Sequence, residues 1–286
     1  MNIKNNRIAS FVIVFLIYTV ACAAGIFTYI SLKLELWLSL LVADIVATVV
    51  TFIFSVILKN ASVYDPYWSV QPMVILICFS FGQTMSPIKI LLLVTVLLWG
   101  LRLTANWAYT FKNLNHQDWR YTLLCEKTGK WYPFINFLGI HLVPTLIVYA
   151  VTLPAVIVTT STAVGNLWSY LFVATSILYI TIQGISDIQM HNFRKNRNGK
   201  NFIDCGLWKH SRHPNYLGEI GMWWGIGFAS VFALGGQWYL LTGAILNTLL
   251  FLFVSIPMAD KRQSQKEGFM EYRNKTRILL PIKRFK

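Results

Sequence analysis

A chain of 286 residues that is 56% hydrophobic and only 13% charged, with a mean hydropathy of +0.54, is not a soluble globular domain, where charged residues take about twice that share. Its net charge of +14 would suit a nucleic-acid binder. Here, however, the basic residues lie in short segments between apolar runs, as they do in membrane proteins. The four cysteines, Cys22, Cys78, Cys125 and Cys205, show no paired spacing and call for neither disulfides nor zinc.

Eight apolar spans follow one another along the chain: 8–31, 36–58, 69–84, 88–111, 136–160, 166–190, 214–233 and 237–258. The first is long enough to cross a bilayer, which the apolar core of a signal peptide is not. The third is short for a crossing, which takes about 20 residues. The expected fold is therefore all-α, a polytopic bundle of about eight transmembrane helices. With the N-terminus inside, the inner segments collect 22 of the 25 Lys and Arg, so both termini and the polar loops are expected on the cytoplasmic side.

Ionisable groups within or at the ends of spans are site candidates by default. Asp44, Arg102, Asp187 and Glu219 fall there. Asp44 reads either as half of a structural ion pair with Arg102 or as a catalytic acid. The remaining polar residues crowd toward the inner face, where a carrier would spread them through the bilayer depth. Asp65 to Gln71 forms a turn into the third span, and Asn113 to Tyr121 is a polar, aromatic loop. Gln183, Asp187, Asn192 and Arg194 close the sixth span. The stretch Gly206 to Glu219 is basic, aromatic and punctuated by glycine, with Pro214 at a helix start where its missing N–H costs nothing. The tail from Phe269 to Ile282 alternates aromatic and basic residues.

This distribution favours an enzyme whose polar cosubstrate enters from the inner side and meets an apolar substrate in the membrane. Cations for phosphates, amides and carboxylates for ribose hydroxyls, and aromatic walls for rings are all present. They would serve a dinucleotide, and with fewer cations required they would serve S-adenosylmethionine as well. No G-x-G-x-x-G follows a strand, so a Rossmann domain is absent from the expectation. Five histidines, of which only His210 and His213 are close in sequence, make a metal site unexpected.

The motifs Asp65-x-x-Trp68, Trp99-x-x-Arg102-Leu103, Asp118-Trp-Arg-Tyr121, Arg212-His-Pro-Asn-Tyr216 and the Glu271-Tyr to Pro281 tail resemble the membrane reductases that include steroid 5-alpha-reductases and sterol C14-reductases. The likeness is greatest to the branch described as steroid 5-alpha-reductase C-terminal-domain or DUF1295 proteins. Isoprenylcysteine carboxyl methyltransferases resemble the chain at the Arg-His-Pro element too. The resemblance covers roughly residues 60–282 and implies a catalytic domain at 60–286 behind a transmembrane hairpin at 1–59. It implies NADPH-dependent reduction of an enone-type double bond in a lipid or steroid-like substrate. Cofactor contacts would come from Gln183, Asp187, Arg194, Arg212, His213, Asn215, Tyr216, Glu219, Tyr272 and Arg277. Trp68 and Gln71 would line the substrate cavity. The chain departs from the reductase pattern at Pro72, where the steroid enzymes carry a glutamate, and at Trp99 to Arg102, where their catalytic tyrosine has no counterpart. Tyr64, Asp65 and Tyr67 are then the candidate proton donors. An S-adenosylmethionine-dependent methyltransferase and a non-enzymatic membrane protein stand as alternatives, and the oligomeric state is left open.

Overall fold

The computed structural model describes residues 3–197 and 199–280. Among them the regular structure is helical, with an isolated parallel bridge between Ser211 and Arg277. The chain is an integral membrane protein that crosses the bilayer several times. Six helical segments are long and apolar enough to span: Arg7–Ser31, Leu36–Leu58, Pro87–Thr110, Trp119–Thr160, Leu167–Lys195 and Trp238–Gln263. The remaining two expected spans exist as helices of another kind. Tyr67–Ser80 has 14 residues, and Pro214–Ala233 has 20 but carries Glu219 and four glycines.

Two compact units divide the chain. The first comprises residues 1–78 and 100–153. It holds α1 (Arg7–Ser31), α2 (Leu36–Leu58) and α3 (Tyr67–Ser80) up to Cys78, the end of α4 (Pro87–Thr110), α5 (Trp119–Thr128), the single turn α6 (Tyr132–Ile135) and the start of α7 (Val143–Thr160). Asn6 caps α1 by accepting from the Ala9 N–H, and Asp118 caps α5 through Arg120, each satisfying a donor that the first helical turn leaves open. Between α6 and α7 the helix widens over Asn136–Leu142, where the Val143 N–H reaches back to Leu138. Such π-type turns recur at functional sites.

The second unit comprises residues 79–99 and 154–286. To the rest of α4 and α7 it adds α8 (Leu167–Lys195), α9 (Pro214–Ala233), α10 (Thr242–Leu250), α11 (Ile256–Gln263) and α12 (Phe269–Lys275). Asn166 and Ser169 form a reciprocal capping box at the start of α8. α8 and α9 lie close together because glycine faces α8. A Cβ at Gly218 would come within 2.7 Å of the Tyr179 carbonyl, and one at Gly225 within 2.9 Å of the Phe172 carbonyl. α9 is consequently buried along most of its length, and contact with protein rather than lipid lets it carry Glu219.

Candidate functional site

In the second unit, α8 ends in the basic pair Arg194 and Lys195, five residues beyond the expected limit of its span. The loop that follows folds back onto α8, where Gln189 accepts from the Leu207 N–H at 2.9 Å and Trp208 donates to the Ser186 carbonyl at 3.2 Å. Gly206 sits at φ +58° against the Gln189 side chain, a position that L side chains rarely adopt. Arg212 then ties three segments together. Its guanidinium donates to the carbonyls of Arg273 and Thr276 at 3.0 and 2.9 Å and to Asp260 at 2.9 Å. Its main-chain N–H meets the Arg277 carbonyl at 2.8 Å. His213 shares Asp260 at 2.9 Å and stacks on Tyr216 at an interplanar angle of 6°. The tail is fastened by Tyr272, whose hydroxyl donates to the Trp208 carbonyl.

These elements enclose a cavity of about 410 Å³, within the roughly 300–1,000 Å³ of small-molecule sites. Arg194, Arg197, Arg212, Arg262 and Lys266 bring five cations to its wall, and Asp260 brings a carboxylate that Arg212 and His213 already share. Burial first, and then the charges of Arg197, Arg262 and Arg194, hold the Lys266 amine below its ordinary pKa. Three of the lining residues each hold one sealed side-chain atom without a hydrogen-bond partner: Asn215 Oδ1, Gln263 Oε1 and Arg212 Nε. Phe202, Trp208, Tyr216 and Tyr272 supply aromatic surface. The arrangement presents cations, which attract negative charge, and aromatic surface, which stacks on planar groups.

Six of the ten expected cofactor residues line this cavity: Arg194, Arg212, His213, Asn215, Tyr216 and Tyr272. The other four are placed elsewhere. The buried carboxylate of Glu219 accepts from Trp99 Nε1 and Gln183 Nε2 at 2.8 Å and from Trp223 Nε1 at 2.9 Å. Gln183 and Glu219 thus bind one another and join α4, α8 and α9. Asp187 is half-buried on α8 outside the wall, and Arg277 contributes its carbonyl to Arg212. Sequence reasoning missed Arg197, Asn201, Arg262 and Lys266 as cavity residues. Their signal was the density of basic residues after the last span and in the largest inner loop.

The first unit gathers the expected proton donors. Lys59 ends α2 in a left-handed conformation (φ 50°), and Asn60 caps the turn Ala61–Tyr64 through the Ser62 N–H at 2.8 Å. The 113–121 loop is pinned to that turn by Gln117 on the Ala61 N–H and by Ser62 on the Asp118 N–H. Asp65 accepts from the Tyr121 hydroxyl at 2.6 Å. Burial raises its pKa to about 6, against the opposing pull of Arg120 and the Tyr121 hydrogen bond.

Tyr64 and Tyr67 stack at 5.2 Å. Tyr67 donates to Asp44 Oδ1 at 3.1 Å, and Gln71 donates to Asp44 Oδ2. The partners of Asp44 are therefore Tyr67 and Gln71, and Arg102 is not its ion pair. Tyr64 joins Thr145 at 2.7 Å, Thr145 joins Thr48 at 3.0 Å, and Thr48 donates to the Tyr67 oxygen at 3.4 Å. Trp68 packs half-buried against this cluster. His141, fully buried, lies against the Tyr64 ring at 4.7 Å.

The family described as "Protein of unknown function (DUF1295)" matches residues 51–276. An uncharacterized protein of Schizosaccharomyces pombe is 25% identical over 198 residues, covering 59% of this chain. The chain spans 57% of that relative's length. No solved structure matches the chain.

Proposed function

From the premise that the chain belongs to the DUF1295 family, we propose that it is a membrane-embedded NADPH-dependent reductase acting on an enone-type double bond of a lipid-like substrate. The observation that carries this reading is the cavity of the second unit, whose wall brings together Arg194, Arg197, Arg212, Arg262 and Lys266 with aromatic side chains. Like charges brought together in a partly buried place repel one another, and a polyphosphate relieves that repulsion. Arg194, Arg197, Arg262 and Lys266 would hold the phosphates. Trp208, Tyr216 and Tyr272 would flank the rings. Bound there, the cofactor supplies a hydride. The residues around it orient the cofactor and exclude water.

The cation surplus weighs against S-adenosylmethionine, which carries a sulfonium and no phosphate. The likeness to steroid and sterol reductases at residues 65–68, 118–121, 212–216 and 271–281 supports the same assignment. On this reading the catalytic domain would be 60–286, and Trp68 and Gln71 would line the substrate side. The charge asymmetry of the loops supports a cytoplasmic location for both termini and the cavity.

The test is a thermal-shift and binding titration in detergent with NADPH, NADH and S-adenosylmethionine, because a ligand that prefers the folded state raises its apparent stability. NADPH is expected to stabilise the protein, and Arg197→Ala is expected to weaken its binding about 10–100-fold through loss of a charge-assisted contact. Stabilisation by S-adenosylmethionine alone would favour the methyltransferase, and a null result with all three would leave a non-enzymatic membrane protein.

A further inference from the structure

The lysines of the second unit differ in what they face. Lys200 donates to both oxygens of Asp204 at 2.7 and 2.9 Å, and Lys275 donates to Glu271 at 2.5 Å. A carboxylate four residues away thus holds each of these ammonium groups in its charged form. For Lys200 the hydrogen bond to Asp204, and then its charge, raise the pKa. Lys266 stands in the turn between α11 and α12, its N–H bonded to the Gln263 carbonyl at 2.9 Å. Its side chain is half-buried and lines the 410 Å³ cavity. No carboxylate among the described residues forms an ion pair with it. Its charged neighbours are Arg197, Arg262 and Arg194, which line the same cavity.

An amine placed among guanidinium groups is the one cation there that can shed its charge, because arginine keeps its proton. Burial and three like charges both act against the ammonium form of Lys266, and the free amine is the nucleophile. The arginines beside it bind phosphate through two parallel N–H bonds each. The same cavity therefore offers an anchor for a phosphate and, next to it, an electron pair. A carbonyl group carried by the anchored molecule meets the amine as a partner already in place, which removes most of the entropic cost of the encounter. Trp208 and Tyr272 add aromatic surface against which a planar ring can lie.

We propose that Lys266 is a covalent modification site for phosphate-bearing carbonyl compounds, whose phosphate seats on Arg194, Arg197 and Arg262 in the same cavity. The Nζ electron pair attacks the carbonyl carbon, and a proton passes from nitrogen to the former carbonyl oxygen. The resulting hydroxyl then leaves with the second nitrogen proton as water, and a carbon–nitrogen double bond closes. One water is released for each imine formed, and nothing is oxidised or reduced. The modified lysine occupies the space assigned above to the phosphates of a dinucleotide, so the adduct and that cofactor exclude one another. This last consequence rests on the reductase reading, and the reactivity of Lys266 does not.

The test treats the full-length protein in detergent with pyridoxal 5′-phosphate, fixes any imine by borohydride reduction and maps the modified lysines by peptide mass spectrometry. Pyridoxal, which has the aldehyde and ring but no phosphate, runs in parallel. Lys266 is expected to be labelled well ahead of Lys200 and Lys275, and about 10-fold more slowly by pyridoxal, the scale of one lost charge-assisted contact. Arg197→Ala is expected to slow labelling of Lys266 by a similar factor and to leave Lys200 unchanged, with Arg262→Ala making the same cut if the first variant fails to fold. Lys266→Arg keeps the charge and removes the nucleophile, and labelling of that peptide should vanish. Labelling spread evenly over Lys200, Lys266 and Lys275, or equal rates at Lys266 with the two aldehydes, overturns the proposal. Addition of NADPH is expected to protect Lys266. Selective labelling that NADPH does not slow would keep the modification site and remove the dinucleotide from this cavity.

Discussion

The two units bury polar side chains by opposite means. In the first, neutral hydroxyls satisfy one another in series, and the carboxyl of Asp44 is met by a phenol and an amide. In the second, five cations share one wall with the carboxylate of Asp260, which Arg212 and His213 hold. A neutral chain of hydroxyls holds no net charge for a ligand to neutralise. A cluster of like charges does, and it attracts an anion.

The comparison is broken hardest at Arg212. Removing its guanidinium by Arg212→Ala leaves Asp260 with His213 and opens the carbonyls of Arg273 and Thr276. A buried pair that loses one partner costs about 3–5 kcal/mol, so a large fall in melting temperature is expected, together with loss of cofactor binding. A melt within a degree or two of the parent would show that the tail is held by other contacts. Next in size is Gly218→Ala, which drives a methyl group toward the Tyr179 carbonyl. Crowding of this kind costs about 1–3 kcal/mol, and the loss should appear in thermal or denaturant unfolding without a change of charge at the cavity.

The Arg197→Ala affinity loss sharpens the electrostatic half of the comparison if it shrinks as salt is raised. The smallest effect concerns Asp65, whose pKa of about 6 stands above the ordinary 3.8. Between those two values the folded state holds the proton and the unfolded state has released it. This contribution to stability is therefore fully present at the acidic end of the window and is lost as pH rises through it. Melting temperatures from pH 4 to 6.5 should decline less in Asp65→Asn than in the parent. Parallel curves would show that Asp65 titrates normally.

Much of this could be read from the chain alone. Apolar runs placed the helices within a few residues, because a bilayer demands about 20 apolar residues per crossing whatever the neighbours are. Asn166, Asn6 and Asp118 sit at helix starts for reasons local to the backbone. The cavity was half legible: Arg212, His213, Asn215 and Tyr216 are consecutive or nearly so, and a single loop conformation carries them together. Arg262 and Lys266 were harder to see, since they come from a separate helix end and matter only once it folds back against α8.

Membrane class, helix positions and the crowding of charge toward one set of loops follow from composition and order, because transfer to lipid is decided residue by residue. Which polar groups meet is another matter. Glu219 turns to Trp99, Gln183 and Trp223, and Asp44 turns to Tyr67 and Gln71. Those pairings depend on how each helix is rotated about its axis and how closely its neighbour approaches. Glycine at 218 and 225 and the widened turn at Asn136–Leu142 set these through packing. Tertiary structure alone decided them, because a buried polar atom has to bond to whatever the folded helices place within about 3 Å of it.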